Sequence, residues 1–288
     1  MALLESDSWN GFAGPDERPS VIALHCSGAT GWEWRLLDSY IGHRFSLITP
    51  NLIGTDGAER WSGEHEFRLT DEAAPIVSAI DAARKPVHLV GHSYGGAVAL
   101  RCAIERPAKI ASLTLYEPAA FYALRTMVDG IVALDQITAI ANEVGRCILT
   151  GAYRAAAKQF VEFWNGHDSW TTMRPETQDA VIRYIPKVYL EFSAMVGERI
   201  SLTAYQQLSC PVLLLQGDSS PEPMRMIARQ LTKSMRLVSL RTVSGAGHMG
   251  PLSHAADVCS MMANHVLRAE ARLSRGEQSL EADIHRAA

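Results

Sequence analysis

The tightest constraint on this chain is an alternation. Short apolar runs rich in Val, Ile and Leu recur along it, each separated from the next by a longer segment of helical or loop character. The runs are Val21–His25, Phe45–Thr49, Val87–Val90, Ile110–Tyr116, Val212–Gln216 and Leu237–Val243. A strand with one face in water alternates apolar and polar residues, whereas a continuous apolar run has to be covered on both faces. Helical patterns fall over Glu33–Tyr40, Asp71–Ala83, Gly95–Glu105, Glu222–Leu231 and His254–Arg268. Strands joined through helices lie parallel in one sheet. The fold class is therefore α/β, a mostly parallel central sheet with helices on both faces.

Between Ala120 and Tyr205 the strand signal stops and helical segments take over. Eleven of the 21 Phe, Trp and Tyr residues fall in this stretch. It reads as a helical insertion over 120–205, between the two parts of a core over 1–119 and 206–288. With 27 Lys and Arg against 31 Asp and Glu, the net charge of −4 gives no basic face, so nucleic acid is not an expected partner. Apolar stretches break well short of the roughly 20 residues of a membrane span, so no membrane partner is expected either. Met1–Gly11 has neither a basic start nor an apolar run, and the five cysteines form no CxxC pair. The expectation is a soluble, reduced, cytoplasmic protein with no metal site. A homodimer is compatible with it. The charged stretch from Arg268 onward reads as a fraying helix or loose tail.

The strongest local signal is Gly91-His92-Ser93-Tyr94-Gly95-Gly96, after the run Val87–Val90 and before a helix of small residues. That is the context of a G-x-S-x-G nucleophile elbow, a turn so sharp that the positions two before and two after the serine have no room for side chains. A serine hydroxyl is a poor nucleophile until a base takes its proton. His248 lies in the glycine-rich segment Ser244–Pro251 directly after the last strand, where a loop can lay an imidazole over Ser93. His92 and His25 read as residues that shape their own loops.

These elements together resemble the α/β-hydrolase fold superfamily, in its cap-bearing serine hydrolase branch. The matching motifs are His25-Cys26-Ser27-Gly28, the elbow, Leu115-Tyr116-Glu117-Pro118, Leu213–Gly217 and Gly245–Leu252, spread over roughly residues 20 to 265. The resemblance implies that the insertion is a cap over the site. It also expects an Asp three residues after Gly217, where this chain has Ser220. Glu117, Asp218 and Glu222 remain as acids. Glu117 is favoured because some relatives carry their acid there and Pro118 stiffens the chain beside it; Asp218 is the alternative. By the same resemblance the oxyanion is held by backbone amides, that of Tyr94 and one from the loop after the first strand, which falls on Ser27. Cys26 stands where relatives carry glycine. Asn51–Gly57 occupies the place of a family Asp-x-x-Gly-x-Gly turn, and His25, Trp164 and Trp170 are candidate substrate contacts.

The implied function is a cofactor-free hydrolase acting on a small, fairly apolar ester or lactone through a Ser93–His248–acid triad and an acyl-enzyme. Carbon–carbon bond hydrolysis of ring-fission products is the alternative chemistry. A ligand-binding protein on a hydrolase scaffold is the alternative class, kept open by the missing Asp at position 220. Gly245–Gly250 matches G-x-G-x-x-G, yet no further strand with an acid follows it, so a dinucleotide is not implied.

Overall fold

The computed structural model describes residues 18–55 and 58–276. The opening Met1–Gly11, Asp56 and Gly57 of the 51–57 loop, and the tail beyond residue 276 lie outside the described residues.

Six strands, β1 (Ser20–Leu24), β2 (Ser46–Ile48), β3 (Val87–His92), β4 (Ile110–Tyr116), β5 (Val212–Gly217) and β6 (Val238–Val243), form one sheet in the order β2-β1-β3-β4-β5-β6. Every pairing is parallel. The helices are α1 (Arg35–Ile41), α2 (Leu69–Ala82), α3 (Ser93–Glu105), α4 (Val128–Leu149), α5 (Tyr153–Asn165), α6 (Ser169–Thr172), α7 (Pro175–Gly197), α8 (Glu222–Ser234), α9 (Gly250–Ser253) and α10 (Ala255–Ser274). All six expected strands are present with ends shifted by a residue or two. The insertion is helical throughout, α4 to α7 with a 3-10 turn at each end, Phe121–Thr126 and Leu202–Gln207. Among the described residues no helix is long and apolar enough to cross a membrane.

Side-chain direction alternates along each strand, and this divides the core into two layers. Ile22 and Leu24, Leu89, and Val212 and Leu214 join the layer under α2, α3 and α8. Val21 and Ala23, Val90, and Leu213 and Leu215 join the layer under α1 and α10. Every residue of β3 and β4 is buried, as expected of central strands, whereas edge strand β6 is largely exposed, with only Val243 buried.

The chain leaves β1 toward β2 on one side and later returns to place β3 on the other. Strand order thus reverses between β1 and β3, and the carboxyl ends there are where open α/β sheets hold their ligands. The loop after β1 carries Ser27, and β3 runs directly into Ser93.

Candidate active site

The elbow glycines are required by space. A Cβ on Gly91 would stand 2.6 Å from the Gly95 carbonyl oxygen, and one on Gly95 2.4 Å from those of Leu24 and His25. The second contact also shows that the loop after β1 passes directly against the first turn of α3. Ser93 sits at φ +51°, in the left-handed region that L-residues rarely adopt. Glu117 is also left-handed, at φ +41°. Strained non-glycine backbone collects at functional sites, and here two of the three such residues among those described belong to one hydrogen-bonded chain.

That chain runs from strand end to strand end. The Ser93 hydroxyl donates to His248 Nε2 at 2.9 Å, and His248 Nδ1–H donates to Glu117 Oε2 at 2.7 Å. Glu117 is fully buried; its Oε1 accepts the Gly217 amide at 2.7 Å and the Ser220 hydroxyl. Ser220, at the position where the resemblance expects the acid, is thus a donor to the acid at the end of β4. Burial works to raise the Glu117 carboxyl, but the bonds from His248, Ser220 and Gly217 outweigh it and hold it below the ordinary carboxylate value. Burial lowers His248 below 6.5 despite the opposing pull of Glu117, so at neutral pH its imidazole is uncharged with Nε2 open to a proton.

Asp218 plays no part in this chain. It is exposed, and its Oδ1 accepts the Gly245 amide at 2.9 Å and the Ser219 hydroxyl, which fixes the start of the histidine loop. The carboxyl end of β5 does lie near that loop, but its acid turns to the backbone. Glu222 pairs with Arg225 and Arg229 on α8.

Tyr94 is in the first turn of α3, where an amide has no partner within the helix. Its side chain is buried and donates to Glu72 Oε2 at 2.8 Å. Ser27 is half-buried in the turn before Gly28, which has φ +75°. Trp164 stands beside His248: its ring is 4.7 Å from that of His248 and is stacked on Phe121 at 6.2 Å. A cleft of about 460 Å³ opens beside them, with Phe163, Trp164, Pro221, Met249 and His248 in its lining.

Two expected substrate contacts are placed otherwise. His25 is fully buried with both ring nitrogens occupied: Nδ1–H donates to the Cys26 carbonyl at 2.8 Å, and Nε2 accepts the Leu52 amide at 3.1 Å. It braces two loops. Trp170 is buried within the helical insertion, with the Arg154 guanidinium 5.9 Å over its ring and its carbonyl bonded by Gln178. Burial and the Glu33 charge push the Cys26 thiol well above its ordinary value, which removes it as a nucleophile.

Two buried polar groups went unread in the sequence. Glu33 Oε1 and His92 Nδ1 are 2.5 Å apart, and both side chains are wholly buried. Elsewhere Lys187 of α7 reaches Glu72 of α2 at 2.9 Å and Glu191 at 3.0 Å, over the faces of Phe67 and Tyr94. The i, i+4 spacing of Lys187 and Glu191 is visible in the sequence, but on a helix it suggests an exposed pair. Cys26, Glu33 and His92 bring potential metal-ligating atoms within 4.8 Å of one another. Both Glu33 oxygens and both His92 nitrogens are already bound to protein partners, so this donor set does not fit an ion.

The profile of the alpha/beta hydrolase family matches residues 21–261. The chain is similar to the magnesium-chelatase 30 kDa subunit of Rhodobacter capsulatus, 25% identical over 259 residues that cover 84% of this chain and 85% of that one. It is also similar to the monoacylglycerol lipase abhd6-B of Xenopus laevis, 32% identical over 108 residues, 36% of this chain and 32% of the lipase. Its fold is that of the enol-lactonase from Burkholderia xenovorans LB400, with a TM-score of 0.68 at 13% identity over 87% of this chain and 92% of the other. From strand order to elbow to profile the assignment is the same: this chain belongs to the alpha/beta hydrolase family.

Proposed function

We propose that the protein is a serine hydrolase that cleaves a small, fairly apolar ester or lactone without a cofactor. The observation that carries this reading is the buried chain Ser93–His248–Glu117, bonded in that order at 2.9 and 2.7 Å. Ser93 Oγ attacks the carbonyl carbon as its proton passes to His248 Nε2. Glu117 holds the imidazolium that forms and keeps Nε2 directed at the serine. The amides of Tyr94 and Ser27 take the oxyanion, His248 returns the proton to the departing alkoxide, and water activated by the same imidazole frees the acid. The helices over 120–205 act as the cap, and the cleft walled by Phe163, Trp164, Pro221 and Met249 supports an apolar substrate.

A fluorophosphonate tests this directly. Stoichiometric label on Ser93, absent in Ser93→Ala and strongly slowed in His248→Ala, is the expected result, read by intact and peptide mass. A labelled enzyme that turns over ring-fission diketones faster than esters moves the chemistry to carbon–carbon cleavage. One observation favours a second class. A relative that matches over most of its length is named as a chelatase subunit, so a wild type that binds small ligands but takes no label establishes a binding protein on a hydrolase scaffold.

The pH dependence follows from His248. Because its folded value lies below 6.5, the active neutral form persists as pH falls through 6.5 and is lost only at lower pH. The acid limb of kcat/KM for ester hydrolysis is expected to have its midpoint below 6.5; a midpoint above it removes His248 as a desolvated base.

A further inference from the structure

Glu33 lies in the 3-10 turn Gly31–Trp34 and His92 immediately precedes Ser93. Their link has a definite proton logic. His92 Nε2 lies 2.8 Å from the carbonyl oxygen of His248, and a carbonyl only accepts, so Nε2 carries a proton. Nδ1 faces Glu33 Oε1 at 2.5 Å, a contact that two lone pairs cannot make. One further proton therefore sits between them. The other carboxylate oxygen, Oε2, accepts the Cys26 amide at 2.8 Å, one residue before Ser27.

The geometry points to Glu33 and His92 as a positioning dyad that fastens the three functional loops to one another. His92 ties the backbone of His248 to the elbow from beneath, and Glu33 ties that imidazole to the loop that carries Ser27. The distance from Ser93 to His248 and the placing of the Ser27 amide are then set by one buried unit. Neither dyad residue touches the substrate. This inference rests on the serine hydrolase reading, because what the dyad positions is the Ser93–His248 pair.

The isosteric change Glu33→Gln separates positioning by hydrogen bonds from the presence of a charge. A glutamine at this position accepts the Cys26 amide through its oxygen and donates its NH₂ to Nδ1 of a neutral His92, so every link survives. Glu33→Ala breaks the unit. His92→Asn keeps a partner for Glu33 but loses the donor to the His248 carbonyl.

The test is the rate of Ser93 phosphonylation by a fluorophosphonate at saturation, with the half-saturating concentration and thermal melting recorded alongside. Glu33→Ala and His92→Asn are expected to slow the saturated rate about a hundredfold, as displaced reacting groups do, with half-saturation unchanged within about threefold. Glu33→Gln is expected to stay within about threefold of wild type. Wild-type rates in both Glu33→Ala and His92→Asn overturn the dyad while the hydrolase reading stands, as does a hundredfold loss in Glu33→Gln. If Glu33→Ala does not melt cooperatively, His92→Asn carries the test. Proton NMR of the wild type is independent of any variant's folding: the bridging proton gives a far-downfield imidazole N–H signal that Glu33→Gln moves upfield, and its absence overturns the proposal. A wild type that takes no label removes both readings together.

Discussion

Glu117→Gln is expected to slow ester turnover by about three to four orders of magnitude while the protein still folds. The size of the effect follows from which way the new amide must face. Oε1 of Glu117 accepts the Gly217 amide and the Ser220 hydroxyl, so the glutamine oxygen stays there. Its NH₂ then points at His248 Nδ1, which becomes an acceptor. The ring proton moves to Nε2, and the base meets the Ser93 hydroxyl with a hydrogen in place of a lone pair. Asp218→Asn is the matched control, expected within about threefold of wild type because its carboxylate serves Gly245 and Ser219. Rates of p-nitrophenyl acetate hydrolysis for the two variants decide it. A large loss in Asp218→Asn with little in Glu117→Gln exchanges the acids.

Lys187→Met is expected to destabilise the protein by about 3–5 kcal/mol, with a fall in Tm on the order of 10 °C. Removing the ammonium leaves Glu72 and Glu191 buried together with no cation between them. Burial and the charges oppose one another at Lys187 and at Glu72. Burial works to lower Lys187, and the two carboxylates outweigh it and raise it above its ordinary value. Glu72 is also raised, because its burial outweighs Lys187 and the hydrogen bonds from the Ile53 amide and the Tyr94 hydroxyl. The signs oppose: the raised lysine adds stability that is present at neutral pH and lost as pH climbs past its unfolded value, while the raised glutamate subtracts stability at neutral pH and stops doing so in acid. Replacing all three charges, as Lys187→Met with Glu72→Gln and Glu191→Gln, is therefore expected to recover most of the loss. Thermal melts of the single and triple variants check both statements, and a harmless single change sinks the first.

How much of this was legible beforehand depends on the range over which each signal acts. The sheet was readable because burial on both faces demands predominantly apolar runs, and β3 and β4 are buried along their whole length. The elbow was readable because Gly91, Ser93 and Gly95 lie within five residues of one another, directly after an apolar run. Glu117 could be weighed against Asp218 only by local stiffness and by the resemblance to relatives that carry their acid there; what separates them is which carboxylate meets His248 and which meets Gly245, and that depends on how two loops fold. The Glu33–His92 link and the Glu72–Lys187–Glu191 cluster join positions far apart in sequence, and ordinary polar residues in amphipathic segments carry no mark of burial. The burial of His25 and Trp170 goes unmarked in the sequence for the same reason. A polar or aromatic side chain near a predicted site looks alike in sequence whether it faces the substrate or braces a loop.

The wide spacing of the site along the chain has a consequence for how the protein reaches its working form. Ser93 and His248 are 155 positions apart, and Glu117 and His248 131. Each enters from the end of a different parallel strand, and parallel strands meet only after the intervening helices have closed long loops. The three side chains come together only where the ends of β3, β4 and β6 do. In refolding, the ability of Ser93 to take a phosphonate is thus expected to lag behind the return of helical circular dichroism, making reactivity a clock for completion of the sheet.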